Sequence, residues 1–329
     1  MILPKFGYLR PSSLEEARRL LDKYGSKARL VSGGTDLFPR LKYHLERPEV
    51  LISLKALEVQ DPYVATGNKL ALDALMTLTA MTRSADVLRK IPLLAEAAKY
   101  VGSYEIRNMG TLGGNLCQES RCLYYNQRHR FQFAEPCFKR GGDLCYFVAK
   151  SKKCLAVYMS DTAPALMCLD AEIIINGPDS ERQLSVGDLY SGNANQPLTL
   201  ARNEILTKLF VPLQSSRTGW AYRKLTIRGG AEYAALSVTA VLVMEDDGIT
   251  CKDVRLAAGA VSSAPLRAQK AESQLLGKEV SDEIVSKIAE IAAREVRIIA
   301  HHGFSTAYLK EVFKVETKRA LKTAFERAR

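Results

Sequence analysis

The sequence predicts a globular protein that mixes α-helices with β-strands in two or three domains. The chain has 329 residues, 47% of them hydrophobic and 25% charged, which is typical of soluble globular proteins. Domains usually span roughly 100–200 residues, so a chain of this length is expected to form two or three of them. The longest nearly uninterrupted apolar run, residues 234–244, is too short to cross a bilayer. The N-terminus also lacks a signal-peptide pattern, so we expect a cytoplasmic protein with no membrane association.

Helix and strand patterns alternate along the chain. A capping box at Ser13 and Glu16 begins a helix that Gly25 ends. A second helix, predicted over residues 82–100, contains Pro92, which should bend or restart it. In the C-terminal part Ser281 caps another helix. Further elements are a short helix at 37–44 and strands at 28–31, 50–54, 171–176, 204–212, 236–244 and 251–258.

The net charge of +11 is compatible with a basic surface, an acidic partner protein or nucleic acid. The basic residues are spread along the chain, and no nucleic-acid recognition motif accompanies them. We therefore expect no nucleic-acid partner.

Two glycine-rich turns are the first candidate binding motifs. Glycines between a strand and a helix let backbone N–H groups approach a phosphate closely. Neither turn matches the P-loop or the G-x-G-x-x-G fingerprint, but two such turns suit a ligand with two phosphates and a long body. A Cβ at Gly33 or Gly114 would then collide with the phosphates or force a disallowed φ. The second turn, GTLGGNL, spans residues 110–116; the first, LVSGGTDL, comprises Leu30, Val31, Ser32, Gly33, Gly34, Thr35, Asp36 and Leu37.

The two turns, followed by SDTAPAL at 160–166 and NEILTKLFVP at 203–212, resemble the FAD-binding subunit of the xanthine oxidase and carbon monoxide dehydrogenase family, the molybdenum hydroxylases. The resemblance covers essentially the whole chain. It implies that the first turn cradles the FAD pyrophosphate. It implies no catalytic residue in this chain, because the substrate would react in a separate molybdenum subunit. The further FAD-binding residues that it implies are Thr111, Gly114, Asn115, Asp161 and Lys224.

The resemblance also implies an α+β fold. A two-part FAD-binding domain over residues 1–216, with subdomains at about 1–56 and 57–216, would precede a C-terminal flavoprotein domain over 217–329. That C-terminal domain would be α/β, with an antiparallel sheet and helices. Such a fold differs from the doubly wound dinucleotide fold, in agreement with the missing fingerprint.

An inserted loop at about 117–157 carries most of the cysteines. In this chain 44 residues separate Asn115 from Ser160, whereas many relatives have a much shorter connection. Clustered cysteines in a reducing compartment favour metal binding over disulfides. We interpret Cys117 as a free core thiol. Four others match the ligand set of an iron–sulfur cluster and equally that of structural zinc: Cys122, Cys137, Cys145 and Cys154, spaced C-x14-C-x7-C-x8-C.

The presence of a redox flavin in the same polypeptide favours a [4Fe–4S] cluster over zinc, because the flavin gives the cluster an electron to carry. The loop most closely resembles that of the β subunit of 4-hydroxybenzoyl-CoA reductase, and flavin subunits of periplasmic-type aldehyde oxidoreductases carry a similar loop. Basic residues of the loop could offset the negative charge of the cluster or form a solvated surface: Arg121, Arg128, Arg130, Lys139, Arg140, Lys150, Lys152 and Lys153.

The resemblance therefore predicts an electron-transfer subunit with FAD and [4Fe–4S], belonging to a 4-hydroxybenzoyl-CoA reductase that removes a phenolic hydroxyl from an aromatic CoA thioester. The alternative is a molybdenum aldehyde oxidoreductase or another hydroxylase. Implied partners are a large subunit with the molybdenum cofactor and a small subunit with [2Fe–2S] clusters, in a dimer of heterotrimers, and a ferredoxin-like donor. Two other classes remain open: a stand-alone flavin oxidoreductase of the vanillyl-alcohol-oxidase type and a zinc-stabilised binding module.

Overall fold

The N-terminal unit of the protein is a three-stranded parallel sheet with two helices. A computed structural model describes residues 2–126 and 135–329 of the chain. The strand order is β1-β3-β2, and both pairings are parallel. The elements are β1 (Gly7–Leu9), α1 (Leu14–Tyr24), β2 (Ala28–Val31), α2 (Leu37–Lys42) and β3 (Val50–Ser53).

The second unit is a five-stranded antiparallel sheet in the order β4-β5-β8-β6-β7, covered by short helices. Its buried residues form a large apolar core between sheet and helices. The elements are β4 (Tyr63–Ala65), β5 (Lys69–Asp73), α3 (Leu78–Arg83), α4 (Ala85–Lys90), α5 (Pro92–Lys99), α6 (Tyr104–Met109), α7 (Leu112–Leu116), α8 (Thr162–Cys168), β6 (Glu172–Asn176), β7 (Glu181–Ser185) and β8 (Ile205–Pro212).

The C-terminal unit is a four-stranded antiparallel sheet in the order β12-β11-β10-β9, and its last helix packs across the edge strand β9 and the neighbouring strand β10. The domain boundary predicted at residue 216 falls between β8 and β9. The elements are β9 (Thr218–Leu225), β10 (Leu236–Met244), β11 (Cys251–Gly259), β12 (Leu266–Arg267), α9 (Gln269–Leu275), α10 (Asp282–Glu295) and α11 (Thr306–Ala328). The mixed α/β architecture with antiparallel sheets confirms the predicted fold class.

The segment predicted as helical over residues 82–100 is divided among three short helices: the predicted restart at Pro92 is confirmed, and a further break at Ser84 was not predicted. Ser84 ends α3 and caps α4, with its hydroxyl accepting a hydrogen bond from the Val87 N–H at 3.4 Å. Pro92 is the first residue of α5, where the missing N–H of proline costs nothing. Proline therefore restarts the helix, and a serine inside the predicted helix adds a second break.

The two predicted helix caps form as expected at Ser13 and Ser281. The Ser13 hydroxyl accepts from the Glu16 N–H at 3.1 Å, and the Ser281 hydroxyl accepts from the Ile284 N–H at 3.3 Å. The capping box is only half formed, since the Glu16 carboxylate accepts from the Ser12 N–H at 2.7 Å. In the described part of the chain no helix is long and apolar enough to cross a membrane.

A carboxylate of the second unit, that of Glu96, holds the C-terminal unit through contacts with a tryptophan and an arginine. The Trp220 indole N–H donates to the Glu96 carboxylate at 3.2 Å. The Arg327 guanidinium donates to the same carboxylate at 2.7 Å and lies over the Trp220 ring at 5.4 Å. One carboxylate of α5 thus holds both the first strand and the last helix of the C-terminal unit.

We predict that Gly219→Ala destabilises the protein, because a Cβ at Gly219 would lie 1.7 Å from the Ala324 carbonyl oxygen of α11. Overpacking of this kind usually costs about 1–3 kcal/mol, measurable as a lower free energy of unfolding in urea. Gly7→Ala is the matched control, because Gly7 also lies in a strand and its Cβ would meet its nearest neighbours at 3.7 Å. Equal stability of the two variants would contradict the close approach of β9 and α11.

Candidate functional site: a cleft between two glycine turns and a pocket of four cysteines

A cleft of about 620 Å³ opens where the three units meet. All eight residues of the first turn line it, as do Thr111, Gly114 and Asn115 of the second turn. Asp161 lines it too, and residues 231–233 of the loop between β9 and β10 close one side. The sequence motifs that predict FAD binding therefore meet around one cavity.

The two glycine turns touch each other directly. The Ser32 and Thr111 hydroxyls are hydrogen-bonded at 3.0 Å. A Cβ at Gly33 would lie 1.9 Å from the Met109 carbonyl oxygen, and a Cβ at Gly114 would lie 2.8 Å from the Thr111 hydroxyl. Protein atoms alone therefore leave no room for a Cβ at either glycine, while the predicted collision with the phosphates stays a prediction. The predicted disallowed φ is wrong for both positions. Neither glycine has a positive φ; Gly34 does, at 72°.

Asn115 connects the second turn to the start of α8. Its side-chain oxygen accepts hydrogen bonds from the Ser160 and Thr162 hydroxyls, both at 2.7 Å. The Thr111 hydroxyl accepts from the Gly114 N–H at 3.1 Å and so caps α7. These bonds fix the backbone of the second turn, so that its shape at the cleft does not depend on a ligand.

Asp161 is a buried carboxylate whose negative charge is compensated by a neighbouring lysine. The Tyr222 hydroxyl donates to one of its oxygens at 2.6 Å, and the Lys224 ammonium donates to the other at 2.9 Å. Burial raises the pKa of Asp161, and the opposing effects of Lys224 and Tyr222 only partly offset it. Unlike Asp161, Lys224 does not line the cleft. Lys224 thus reaches the wall of the cleft through its ion pair with Asp161, and the direct contact with FAD that the resemblance implies stays a prediction.

Sequence reasoning missed several residues that line the cleft, notably Arg40, Arg121 and Tyr233. The Arg121 guanidinium pairs with Asp36 and lies 5.0 Å from the centre of the Tyr233 ring. Burial disfavours the charge on Arg40, but Asp36, Glu46 and Glu119 outweigh this effect and raise its pKa. Nothing in the local sequence marks Arg121 or Tyr233, because their partners are distant in the chain. Arg40 lies only four residues after Asp36, a spacing at which helical side chains can pair.

The four predicted cysteine ligands line one small pocket beside the cleft, and we call it the cysteine pocket. All four are partly exposed and free of disulfides. Within residues 2–126 and 135–329, no three His, Cys, Asp or Glu side chains are arranged to hold a single metal ion. The pocket is lined by Cys122, Cys137, Cys145 and Cys154 together with Tyr124, Tyr125, Phe138, Lys139, Leu144, Tyr146, Phe147 and Ala156.

Burial and nearby hydrogen-bond donors act in opposite directions on two thiols of the pocket, and burial is the larger effect. The Val148 N–H donates to the Cys145 sulfur at 3.4 Å. Burial raises the pKa of Cys122 and of Cys154. Backbone N–H groups oppose this effect at both thiols, and the Lys139 ammonium also opposes it at Cys154. Arg128 and Arg130, two of the basic residues named above, lie outside the described residues.

Cys117 belongs to the cleft and not to the cysteine pocket. It packs against the apolar core of the second unit, and burial raises the pKa of its thiol to about 12. A thiol with such a pKa stays protonated at neutral pH and is a poor metal ligand.

The inserted loop is anchored on the C-terminal unit. Its two ends are joined where the Arg121 N–H donates to the Val157 carbonyl at 2.9 Å. Val157 and Met159 pack in a small apolar cluster with residues of the C-terminal unit. Arg121 lines the cleft and the next residue, Cys122, lines the cysteine pocket, so a single peptide bond connects the walls of the two sites.

Two family models together match nearly the whole chain. Residues 4–214 match the FAD-binding domain in molybdopterin dehydrogenase, and residues 220–324 match the carbon monoxide dehydrogenase flavoprotein C-terminal domain. The chain therefore belongs to the FAD-binding subunits of the molybdenum hydroxylase family. It is an oxidoreductase subunit whose role is electron transfer.

Curated relatives and solved structures agree with this assignment. The glyceraldehyde dehydrogenase medium chain of Sulfolobus acidocaldarius is 28% identical over 98% of this chain and 99% of the relative. The FAD-binding subunit of an aldehyde oxidoreductase from Escherichia coli is 28% identical over 75% of this chain and 79% of the relative. A structure of carbon monoxide dehydrogenase from Hydrogenophaga pseudoflava superimposes with a TM-score of 0.82 at 27% identity, covering 99% of both chains.

We predict that Gly33→Ala yields folded protein that has lost most of its FAD. The new Cβ would push the first turn away from Met109 and so widen the phosphate-binding end of the cleft. Flavin content is measured from the absorbance of FAD released by denaturation. Gly230→Ala is the control, because it lies beside the cleft in open space. Stoichiometric FAD in Gly33→Ala would show that the contact between the turns is not needed.

We predict that Lys224→Met lowers the free energy of unfolding at neutral pH by about 3 kcal/mol, because it leaves the Asp161 carboxylate buried without its cation. Since the pKa of Asp161 is raised, the folded state binds its proton more tightly than the unfolded chain does. This group's contribution to stability therefore falls as pH rises from the usual carboxyl pKa to the raised value.

Without Lys224 the pKa of Asp161 should rise further, because the cation that lowers it is gone. The deficit of Lys224→Met should therefore shrink as pH is lowered from that higher pKa to the pKa of Asp161 in the unaltered protein, which urea unfolding at several pH values would measure. Adding Asp161→Asn should recover part of the loss at neutral pH. A deficit that does not depend on pH, or a double variant no more stable than Lys224→Met, would contradict the role of this pair.

Proposed function

We propose that this chain carries FAD in the cleft and a [4Fe–4S] cluster in the cysteine pocket, and passes electrons between them and the redox centres of partner subunits. The observation that carries the proposal is the position of Cys122, Cys137, Cys145 and Cys154 around one pocket, directly beside the cleft. FAD, when bound, can exchange electrons singly or in pairs and so links one-electron carriers to two-electron chemistry.

The cleft fits FAD in size and in chemistry. Its volume of about 620 Å³ is within the range of cofactor sites. The two turns would hold the pyrophosphate with backbone N–H groups, because their glycines allow the backbone to come close. Asp36 and Asp161 line the same cleft, but each is paired with a cation. Their charge therefore does not oppose a ligand that carries two phosphates.

The cysteine pocket brings together four thiols. This is the number that a [4Fe–4S] cluster binds, with one thiolate at each iron. The Val148 N–H that points at Cys145 is the kind of hydrogen bond that tunes cluster potentials. The aromatic rings of Tyr125 and Phe147 line the pocket as well and would limit the access of water to the cluster.

Relatives favour a hydroxylase-type partner over 4-hydroxybenzoyl-CoA reductase. The named relatives are a glyceraldehyde dehydrogenase and an aldehyde oxidoreductase, and others are carbon monoxide and nicotinate dehydrogenases. We therefore propose that the partner molybdenum subunit oxidises its substrate and that electrons reach FAD from it. The family match argues against a stand-alone flavin oxidoreductase. The name "medium chain" supports a large and a small partner subunit, whereas the dimer of heterotrimers and the ferredoxin-like donor stay predictions.

We predict that anaerobically purified protein contains one FAD and about four iron and four sulfide per chain, as determined by visible spectroscopy and by iron and sulfide assays. Cys137→Ser should lose or degrade the cluster, since this thiol lines the pocket. Cys117→Ser is the matched control and should keep its iron, because Cys117 lines the cleft instead.

Two outcomes would contradict the ligand assignment or the redox role. If Cys117→Ser lost its iron while Cys122→Ser kept it, the first cluster ligand would be Cys117 and the assignment of Cys122 would be wrong. Zinc without iron in anaerobic protein would make the loop a structural element.

A further inference from the structure

Asp36 and Arg121 form an ion pair between the first glycine turn and the inserted loop. The Arg121 guanidinium donates to one carboxylate oxygen of Asp36, and the Glu119 N–H donates to the other at 3.2 Å. Both side chains are mostly buried, with 20% of Asp36 and 16% of Arg121 exposed. The Asp36 carboxylate therefore binds two groups of the inserted loop, the side chain of Arg121 and the backbone N–H of Glu119.

Further charges extend this ion pair into a network. Arg40 of α2 pairs with Asp36 at 3.2 Å and lies 3.8 Å from the Glu119 carboxylate. Glu119 also pairs at 2.7 Å with Lys139, which lines the cysteine pocket. We call Asp36, Arg40, Glu119, Arg121 and Lys139 the bridge network. It runs from the FAD-binding turn to the wall of the cysteine pocket without interruption.

Two donors of the bridge network have no partner within the protein. The Nε atoms of Arg40 and Arg121 are buried and without a hydrogen bond, and both side chains line the cleft. A buried unsatisfied donor is costly. Both arginines also bring positive charge to the wall of the cleft, so an anionic ligand bound there would interact with the bridge network.

We propose that the bridge network couples the two sites, so that FAD binds more tightly when the cysteine pocket is filled and the pocket retains its metal better when FAD is bound. This inference rests on the proposed function of both sites. Asp36 and Arg121 are its central positioning residues.

The coupling follows from what each ligand must hold in place. Filling the cysteine pocket fixes Cys122 and with it the adjacent Arg121. Binding of FAD fixes the first turn and with it Asp36. The ion pair needs both segments in place, so the first ligand lowers the ordering cost that the second must overcome, and by linkage the effect is equal in both directions. The inserted loop is thus a working part of the FAD site.

The test compares FAD affinity in two states of the full-length chain. Flavin-stripped protein is titrated with FAD, with the cysteine pocket either loaded with iron and sulfide or emptied by Cys145→Ser, and flavin fluorescence gives each Kd. We expect the emptied protein to bind FAD at least about five-fold more weakly, which is the lower end of typical coupling between sites. Arg121→Gln and Asp36→Asn should reduce this ratio to about one.

The ratio separates coupling from simple damage, because a variant that only weakens FAD binding raises both Kd values equally. Arg327→Gln is the matched control and should keep the wild-type ratio, since Arg327 pairs with Glu96 away from both sites. A wild-type ratio of one, or an unchanged ratio in Arg121→Gln and Asp36→Asn, would overturn the proposal. Iron and sulfide assays on the same samples report separately whether the pocket holds a cluster, so failure of the proposed function is recognised independently.

Discussion

The close approach of the two glycine turns is the constraint on which the site depends. The hydroxyls of Ser32 and Thr111, 79 residues apart in the chain, are hydrogen-bonded at the point where Gly33 meets the Met109 carbonyl. The first turn belongs to the parallel sheet and the second to the helical layer over the antiparallel sheet. Their contact therefore fixes how the first two units face each other and sets the width of the cleft between them.

Charge compensation is the second constraint, and it explains why carboxylates can line a site for an anionic ligand. Asp161 is held by Lys224 and Tyr222, while Asp36 is held by Arg121 and Arg40. A buried ion pair rarely adds net stability, because removing both charges from water costs about as much as their attraction returns. These pairs are better explained by the cleft they shape than by the stability of the fold.

Short-range signals made much of the fold predictable. The caps at Ser13 and Ser281 and the strand before the first turn depend on neighbours within a few residues, and the sequence shows them directly. Strand β7 was missed because its side chains alternate between exposed and half-buried, without the apolar alternation that indicates a strand. The break at Ser84 was missed because serine is tolerated inside helices as well as at their ends.

Long-range pairs could not be predicted from the sequence. Arg121 and Asp36 are 85 residues apart, and no local pattern links them. The ion pair between Lys224 and Asp161 could not be predicted from the sequence either. A lysine near a cofactor motif can contact the ligand or neutralise a buried acid, and only the geometry distinguishes these roles. The motifs thus identified the lining of the cleft, while the electrostatics that hold it were visible only in the structure.

The position of the inserted loop in the fold is what makes the proposed redox role possible. It leaves the chain after the second turn and returns just before Asp161, so both of its ends lie at the wall of the cleft. The bond between Arg121 and Val157 closes the loop at its base, and its returning segment packs on the C-terminal unit. Under the proposed function, the fold itself would hold a metal bound by these cysteines near the flavin, and electron transfer would require no movement of one domain relative to another.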